Sequence, residues 1–408
     1  MTATANFPEL LAPAGDRARL ESAVRFGADA VYLGGKTLGM RCAPENFSPE
    51  ELISAVDFCH KHGVKVYLTC NTLPSCEDVD GLDEYFESVK AANVDAMIIA
   101  DVGVFFAARR ALPDMEIHIS TQAGIVNHLT AREFYNLGAK RVVLARELSL
   151  DEIKRIRDET PPELEIETFV HGAMCVSFSG RCLLSSYIAG RGRESNRGGC
   201  AQPCRWSYTL TEVKRPDEHY PIIEEDHGTY ILNAKDLCMM EHLDKLMRAG
   251  ISSFKIEGRA KSEYYTAIIT NAYRSALDLL KKDPDNYAPE QWMLDETLKI
   301  SHREYCTGFY FGQPDNIQRT AGYIREYDVI AKVDGWEGGL LRCTELNRFS
   351  VGDTVEIVEK GKPPVTVTIV EMFDEEKQPL DVARHPEMTV YLRSDRAFAE
   401  GSMIRKKL

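Results

Sequence analysis

Five cysteines, Cys175, Cys182, Cys200, Cys204 and Cys238, fall within one stretch of 64 residues. Thiolates are soft ligands, and a group this tight selects zinc or an iron–sulfur cluster. The gaps between them are six, seventeen, three and thirty-three residues, so the two close CxxC pairs of a zinc ribbon are missing. A [4Fe–4S] cluster accepts wider spacing, because its four iron corners take ligands from separate loops. Zinc remains the alternative metal, and ordinary buried thiols, the reading given to Cys59, Cys70 and Cys343, the alternative to any metal. Cys200 and Cys204 compete for a third ligand position, with Cys200 preferred because two glycines before it let the backbone approach a cluster. Cys238 is expected at the N-terminus of a helix over Leu237–Ala249, where the helix dipole favours a thiolate.

Other residues of the right chemistry lie near this group. His171 precedes Cys175 at the end of a predicted strand, where an imidazole suits acid/base work or substrate binding. The run Lys255-Ile256-Glu257-Gly258-Arg259 alternates polar with apolar positions, so Lys255, Glu257 and Arg259 are expected to share a face. The two cations would suit an anionic substrate, and Glu257 either catalyses or pairs with a cation. Arg41, Asn46, Gln122 and Glu147 follow predicted strands in the same way. Arg181, Arg191, Arg193, Arg197 and Arg205 face a single acid, Glu194, within one segment, which makes Arg181 and Arg197 candidates for binding RNA or another anion.

The elements that must position these residues read as successive βα units. Strands are predicted over Glu9–Pro13, Ala30–Gly34, Val64–Thr69, Ala96–Ala100, Glu116–Ser120, Arg141–Arg146, Glu165–His171 and Ser253–Glu257. Helices are predicted over Arg17–Phe26, Pro49–His62, Leu82–Ala92, Thr130–Leu137, Leu150–Asp158 and Tyr264–Lys282, with Gly27, Gly63 and Gly138 closing three of them. Eight such units in about 280 residues favour a closed TIM-like (β/α)8 barrel, and no GxGxxG follows the first strand as a dinucleotide fold would require. The barrel domain is placed at residues 1–285, with the cysteine-rich insertion at 172–235 after strand seven, on the face where this fold keeps its chemistry. A linker and helix follow at 286–320. Short β-rich runs separated by turn material make 321–408 a small C-terminal all-β barrel domain.

Composition sets further limits. The chain has 408 residues, 44% hydrophobic and 27% charged, with a net charge of -14 that argues against indiscriminate nucleic-acid or membrane binding. No apolar run approaches the roughly 18 residues of a membrane span, and the first residues lack a secretory pattern, so a cytoplasmic enzyme without membrane partners is expected. Eleven cysteines in a reducing compartment favour metal over disulfides. HExxH, GxSxG and P-loop patterns are absent, which counts against common hydrolase chemistry.

The segments ELLAPAGD (9–16), GADAVYLGGK (27–36), HGAMCVSFSGRC (171–182), NRGGCAQPCRW (196–206) and FKIEGRAKSEYY (254–265) together resemble the peptidase U32 family. That resemblance implies a [4Fe–4S] cluster held by Cys175, Cys182, Cys200 and Cys238, with Cys204 as the alternative third ligand. YCTGFYFGQP (305–314) followed by a β-domain resembles the branch whose members hydroxylate tRNA. The branch implies oxygen-independent, prephenate-dependent conversion of a wobble uridine to 5-hydroxyuridine. On this reading Arg41 and Arg259 bind the carboxylate metabolite, and the basic end Arg405, Lys406 and Lys407 helps to grip RNA. The family label implies a peptidase instead, and an RNA-binding factor with a structural metal site is a further alternative.

Overall fold

The computed structural model describes residues 7–39, 46–175, 177–190, 193, 195, 198–206, 223–225, 228–230, 234–312 and 323–408. Strand β1 (Glu9–Pro13) pairs in parallel with β2 (Ala30–Gly34), and the ladder runs on through β3 (Lys65–Cys70), β4 (Ala96–Ile99), β5 (Glu116–Ile119), β6 (Arg141–Val143) and β7 (Glu165–Ala173). An eighth barrel strand, Ser253–Ile256, pairs in parallel with both β7 and β1 and closes the cylinder. The fold is therefore the expected TIM-like barrel. Its helices start where side chains satisfy the first backbone N–H groups. Asp16 accepts from Arg19 N at 2.9 Å to begin Arg17–Arg25, and Ser48 with Glu51 and Ser149 with Glu152 form capping boxes for Pro49–Lys61 and Leu150–Asp158. Gly27, Gly63 and Gly138 take positive φ just beyond three of the helices, as read from sequence.

Alternation along the strands divides the barrel into two environments. Outward residues such as Leu10, Val31, Leu33, Val66 and Leu68 pack against the helices in the main core. Inside the cylinder, Leu11, Ala30, Tyr32, Tyr67, Ala96 and Ile98 make a separate apolar layer. Towards the N-terminal ends of the strands, Arg141 pairs with Glu9, Glu165 and Glu167, and Lys255 Nζ donates to Glu167 at 2.8 Å. Charges this deep persist because each is compensated by another. This polar plug leaves the C-terminal end of the barrel to form a cavity.

One element departs from expectation. Asp236–Cys238 is a short strand, antiparallel to the end of β7 with Cys238 opposite His171, and it also pairs with Tyr305–Cys306. The helix expected over Leu237–Ala249 begins only at Leu243 and runs to Arg248, after a 3-10 turn at Met240–His242. Strand β7 overhangs the barrel, and its backbone groups need partners that Asp236–Cys238 supplies, so a tertiary pairing outweighs helix propensity. Cys238 thus has no helix dipole on its sulfur.

The C-terminal region forms a seven-stranded antiparallel sheet around Tyr327–Glu337, Leu340–Glu345 and Met403–Lys407, with a core that includes Ile330, Val333, Leu341, Phe349, Val355 and Ile404. Its contact with the barrel corrects the reading of the basic C-terminus. Arg405 is fully buried and pairs with Glu296 of helix Gln291–Leu298 and with Glu356 of strand Thr354–Val358. Strand alternation turns it into the domain seam, where it is withdrawn from the surface. Lys406 pairs with Asp353 at 2.8 Å, which leaves Lys407 as the exposed member of the trio.

Candidate active site at the barrel mouth

A cavity of about 510 Å³ opens where the barrel strands end, within the range typical of small-molecule sites. Its floor includes Tyr32, Ile98, Phe169 and Lys255, and its walls carry Thr69, Gln122, Arg146, Glu257 and Arg259. Lys255 sits at the boundary between plug and cavity. Its ammonium lies 4.4 Å from the Tyr32 ring centre while bonding Glu167. Burial alone would raise the Glu167 carboxyl, but Lys255 and Arg141 outweigh it and hold the group at about 2.

The other cations are equally anchored. Arg146 pairs with Glu257 at 2.8 Å, donates to Ala173 O at 2.7 Å, and lies 3.6 Å from the Phe169 ring centre. Arg259, only 3% exposed, donates to Thr69 Oγ1 at 2.9 Å and to Asn46 Oδ1. Gly34 permits this, because a Cβ there would lie 2.3 Å from the Arg259 guanidinium. Lys261 donates to Ser301 O at 3.2 Å, and Arg303 pairs with Asp236 at 2.6 Å. Among the described lining residues, Arg146, Lys255, Arg259, Lys261 and Arg303 face the carboxylates Glu147 and Glu257. A chain with a net charge of -14 thus concentrates positive charge in this cavity, a field that favours an anionic ligand.

Lys255, Glu257 and Arg259 do share the cavity, and Glu257 is engaged by Arg146. Gln122 and Glu147 also line it, the latter accepting from Ser179 N at 2.6 Å and Ser179 Oγ at 2.9 Å. Arg181 donates to the backbone carbonyl of Gln122 at 3.0 Å and so ties the cysteine-rich segment to the barrel rim. Arg41 and Arg197 lie outside the described residues. His171, the histidine expected to serve acid/base work or substrate binding, does not face the mouth. It is absent from the cavity lining and packs with the rings of Tyr265, Tyr273 and Tyr305, its Nδ1 3.3 Å from the Tyr273 hydroxyl. The cause is a register shift: Lys255 is opposite Phe169 but Ile256 is opposite His171, so the period-two pattern breaks there. Burial pushes its pKa down to about 3.

The cysteines divide in a way the spacing did not foretell. Cys175, Cys182, Cys200 and Cys204 all line the cavity, and Cys238 does not. Backbone N–H groups of Ser177, Leu184 and Gln202 each point at the sulfur two residues earlier, on Cys175, Cys182 and Cys200, at 3.4 Å. Cys238 has the corresponding contact from Met240. Burial pushes its thiol up, opposed by that N–H and by the Tyr273 hydroxyl at 3.7 Å. Among the described residues, no three His, Cys, Asp or Glu side chains converge on a point that could hold a single metal ion.

Sequence reasoning missed Arg146, Lys261 and Arg303. Lys261 lay two residues past Arg259 and could have been reached by extending the same pattern. Arg303 carried no local signal, because it arrives from beyond the barrel through its pair with Asp236.

The profile of peptidase family U32 matches residues 15–320, and that of the family's C-terminal domain matches 325–405. The chain belongs to peptidase family U32. Within that family it is 38% identical to tRNA hydroxylation protein P1 of Bacillus subtilis (strain 168) over 98% of this chain and 94% of the relative. It is 34% identical to tRNA hydroxylation protein P of Escherichia coli (strain K12), over 94% and 93% of the two chains. A third relative, 40% identical over 86% of this chain and 87% of its own length, is the uncharacterized protease MJ0090 of Methanocaldococcus jannaschii. No helix among the described residues is long and apolar enough to cross a membrane.

Proposed function

We propose that this U32 chain is an RNA-modifying enzyme that hydroxylates C5 of a wobble uridine in tRNA, with prephenate or a related carboxylate as co-substrate. The observation that carries the reading is the cation-rich cavity at the barrel mouth with four thiols along its wall, in a chain whose full-length relatives include two named for tRNA hydroxylation. Arg259 and Lys255 are the residues we assign to the carboxylate metabolite, together with Arg146, Lys261 and Arg303. Their existing partners hold them in place, so little side-chain entropy is lost on binding. Glu257, fixed by Arg146, is the ionisable group best placed to take or give a proton at the reacting base. Arg181 and Arg197 belong to the basic segment that would receive the RNA backbone.

Cys175, Cys182, Cys200 and Cys238 are the proposed ligands of a [4Fe–4S] cluster, which would supply one-electron chemistry to the site. The donor set fits in its chemistry, because it brings four soft thiols from separate segments, three of them on the cavity wall. A peptidase reading gains nothing from the cavity. Among the described lining residues there is no histidine to activate a thiol or hydroxyl, and His171 is turned away.

Nucleoside mass spectrometry of tRNA from cells with and without the gene tests the reading. Loss of 5-hydroxyuridine and its derivatives on deletion, restored by the intact gene, is expected. Unchanged nucleosides would overturn it. Anaerobically purified protein should contain iron and acid-labile sulfide, and colourless zinc-loaded protein would refute the cluster.

A further inference from the structure

The cysteine-rich segment does more than line the cavity. Large apolar side chains that are normally withdrawn from water are exposed along it: Phe178 is 49% exposed, Leu183 61%, Tyr187 79%, Ile188 45% and Trp206 42%. Phe178 and Leu183 alternate with Ser177, Ser179, Cys182 and Leu184, which face the cavity, while Tyr187 and Ile188 follow on the helix that begins at Leu184 and Trp206 follows Cys204, so the exposed set borders the cavity wall. The rim is not a loose flap. Ser185 is buried and its Oγ accepts from Ala201 N at 2.9 Å, which fastens helix Leu184–Ala189 to the following loop. Arg181 clamps the preceding turn to Gln122 O, beside Gly124 where the Phe178 ring rests. Exposed aromatic groups on a segment fastened at the mouth of a site are poised to meet something with flat apolar faces.

The charge of the segment's sequence decides what that is. The stretch from Arg181 to Arg205, ends included, holds five arginines and one glutamate, in a chain that is otherwise strongly acidic. A second copy would bring this basic segment against itself, whereas RNA supplies both the phosphates and the unstacked bases. Resting on the RNA-modifying reading above, we propose that Tyr187, Trp206 and Phe178 form a stacking platform for unpaired bases of the RNA loop flanking the target uridine. Stacking on the rim would hold the loop splayed while one base enters the cavity. Aromatic faces accept any base, so the platform would set affinity and position while the cavity sets the identity of the base.

The test uses the full-length chain and a tRNA carrying 2-aminopurine beside the target uridine. For wild type, binding should quench the fluorophore as it stacks. Tyr187→Ala and Trp206→Ala should each weaken binding by about 5- to 100-fold and raise KM, with kcat, iron content and the salt dependence of binding unchanged. Tyr187→Phe should recover wild-type affinity. Arg193→Ala, in contrast, should reduce the salt slope by about one. Wild-type affinity in both alanine variants of an enzyme that still hydroxylates tRNA would overturn the platform alone. A wild-type dimer that Tyr187→Ala dissolves would also overturn it, by showing that a second copy covers the face. Wild-type protein that neither binds nor hydroxylates tRNA would overturn the RNA-modifying reading itself.

Discussion

Replacing Arg405 with methionine should unseat the C-terminal domain without changing the intrinsic grip on RNA. Its guanidinium is fully buried and donates to Glu296 at 2.8 Å, to Glu356 at 2.6 and 2.8 Å, and to the Tyr264 hydroxyl at 3.2 Å. In the variant, Glu356 keeps Lys299 at 3.0 Å, but the buried Glu296 is left with that ammonium at 3.7 Å. Stranding one member of a buried pair costs about 3–5 kcal/mol, a large part of the roughly 5–15 kcal/mol that holds a domain folded. At about 2–4 °C per kcal/mol, the melting transition should fall by on the order of 10 °C. The assay is calorimetry on Arg405→Met, Glu296→Gln and the double variant. Neutralising the stranded carboxylate should recover part of the loss, giving a coupling of about 0.5–3 kcal/mol. An unchanged transition, with weaker tRNA binding and a shallower salt slope, would refute the seam and return Arg405 to RNA contact.

Three further outcomes are expected. The Glu167 carboxyl is depressed to about 2 in the folded chain by Lys255 and Arg141 against the effect of burial, so its contribution is present above the unfolded value of about 4.3 and lost as pH falls towards 2. Thermal melts from pH 7 to pH 3 should therefore show a steeper acid decline for wild type than for Glu167→Gln, and parallel curves would count against the plug. Gly34→Ala places a methyl 2.3 Å from the Arg259 guanidinium, so hydroxylation should drop at least tenfold while iron content is kept. Wild-type turnover would mean that the position of Arg259 does not matter. Cys200→Ser should lose iron and sulfide, because the two glycines before Cys200 let its backbone approach a cluster, whereas Cys204→Ser should retain them. Iron analysis giving the reverse order would make Cys204 the third ligand.

The barrel was legible in the sequence because its signals are local. Period-two runs, 3.6-period runs and glycines after helices recur often enough that strands such as Glu9–Pro13 and Ala30–Gly34 are found at their predicted limits. The cysteine group was legible for a similar reason, since thiols crowded into one insertion stand out by count alone. Lys255, Glu257 and Arg259 were reachable by alternation along a single strand end. His171 was not, since the register shift that turns it outward depends on how β7 pairs with the eighth strand. Cys238 was misplaced because an overhanging strand recruited Asp236–Cys238 as its partner, a demand no local window contains. Arg405 reads as one more basic residue at the end of a chain until a second domain sets Glu296 against it. Chain-local chemistry was enough to place the thiols and the strands. Which side chains face the cavity, and which close a seam, was decided by pairings between segments far apart in sequence.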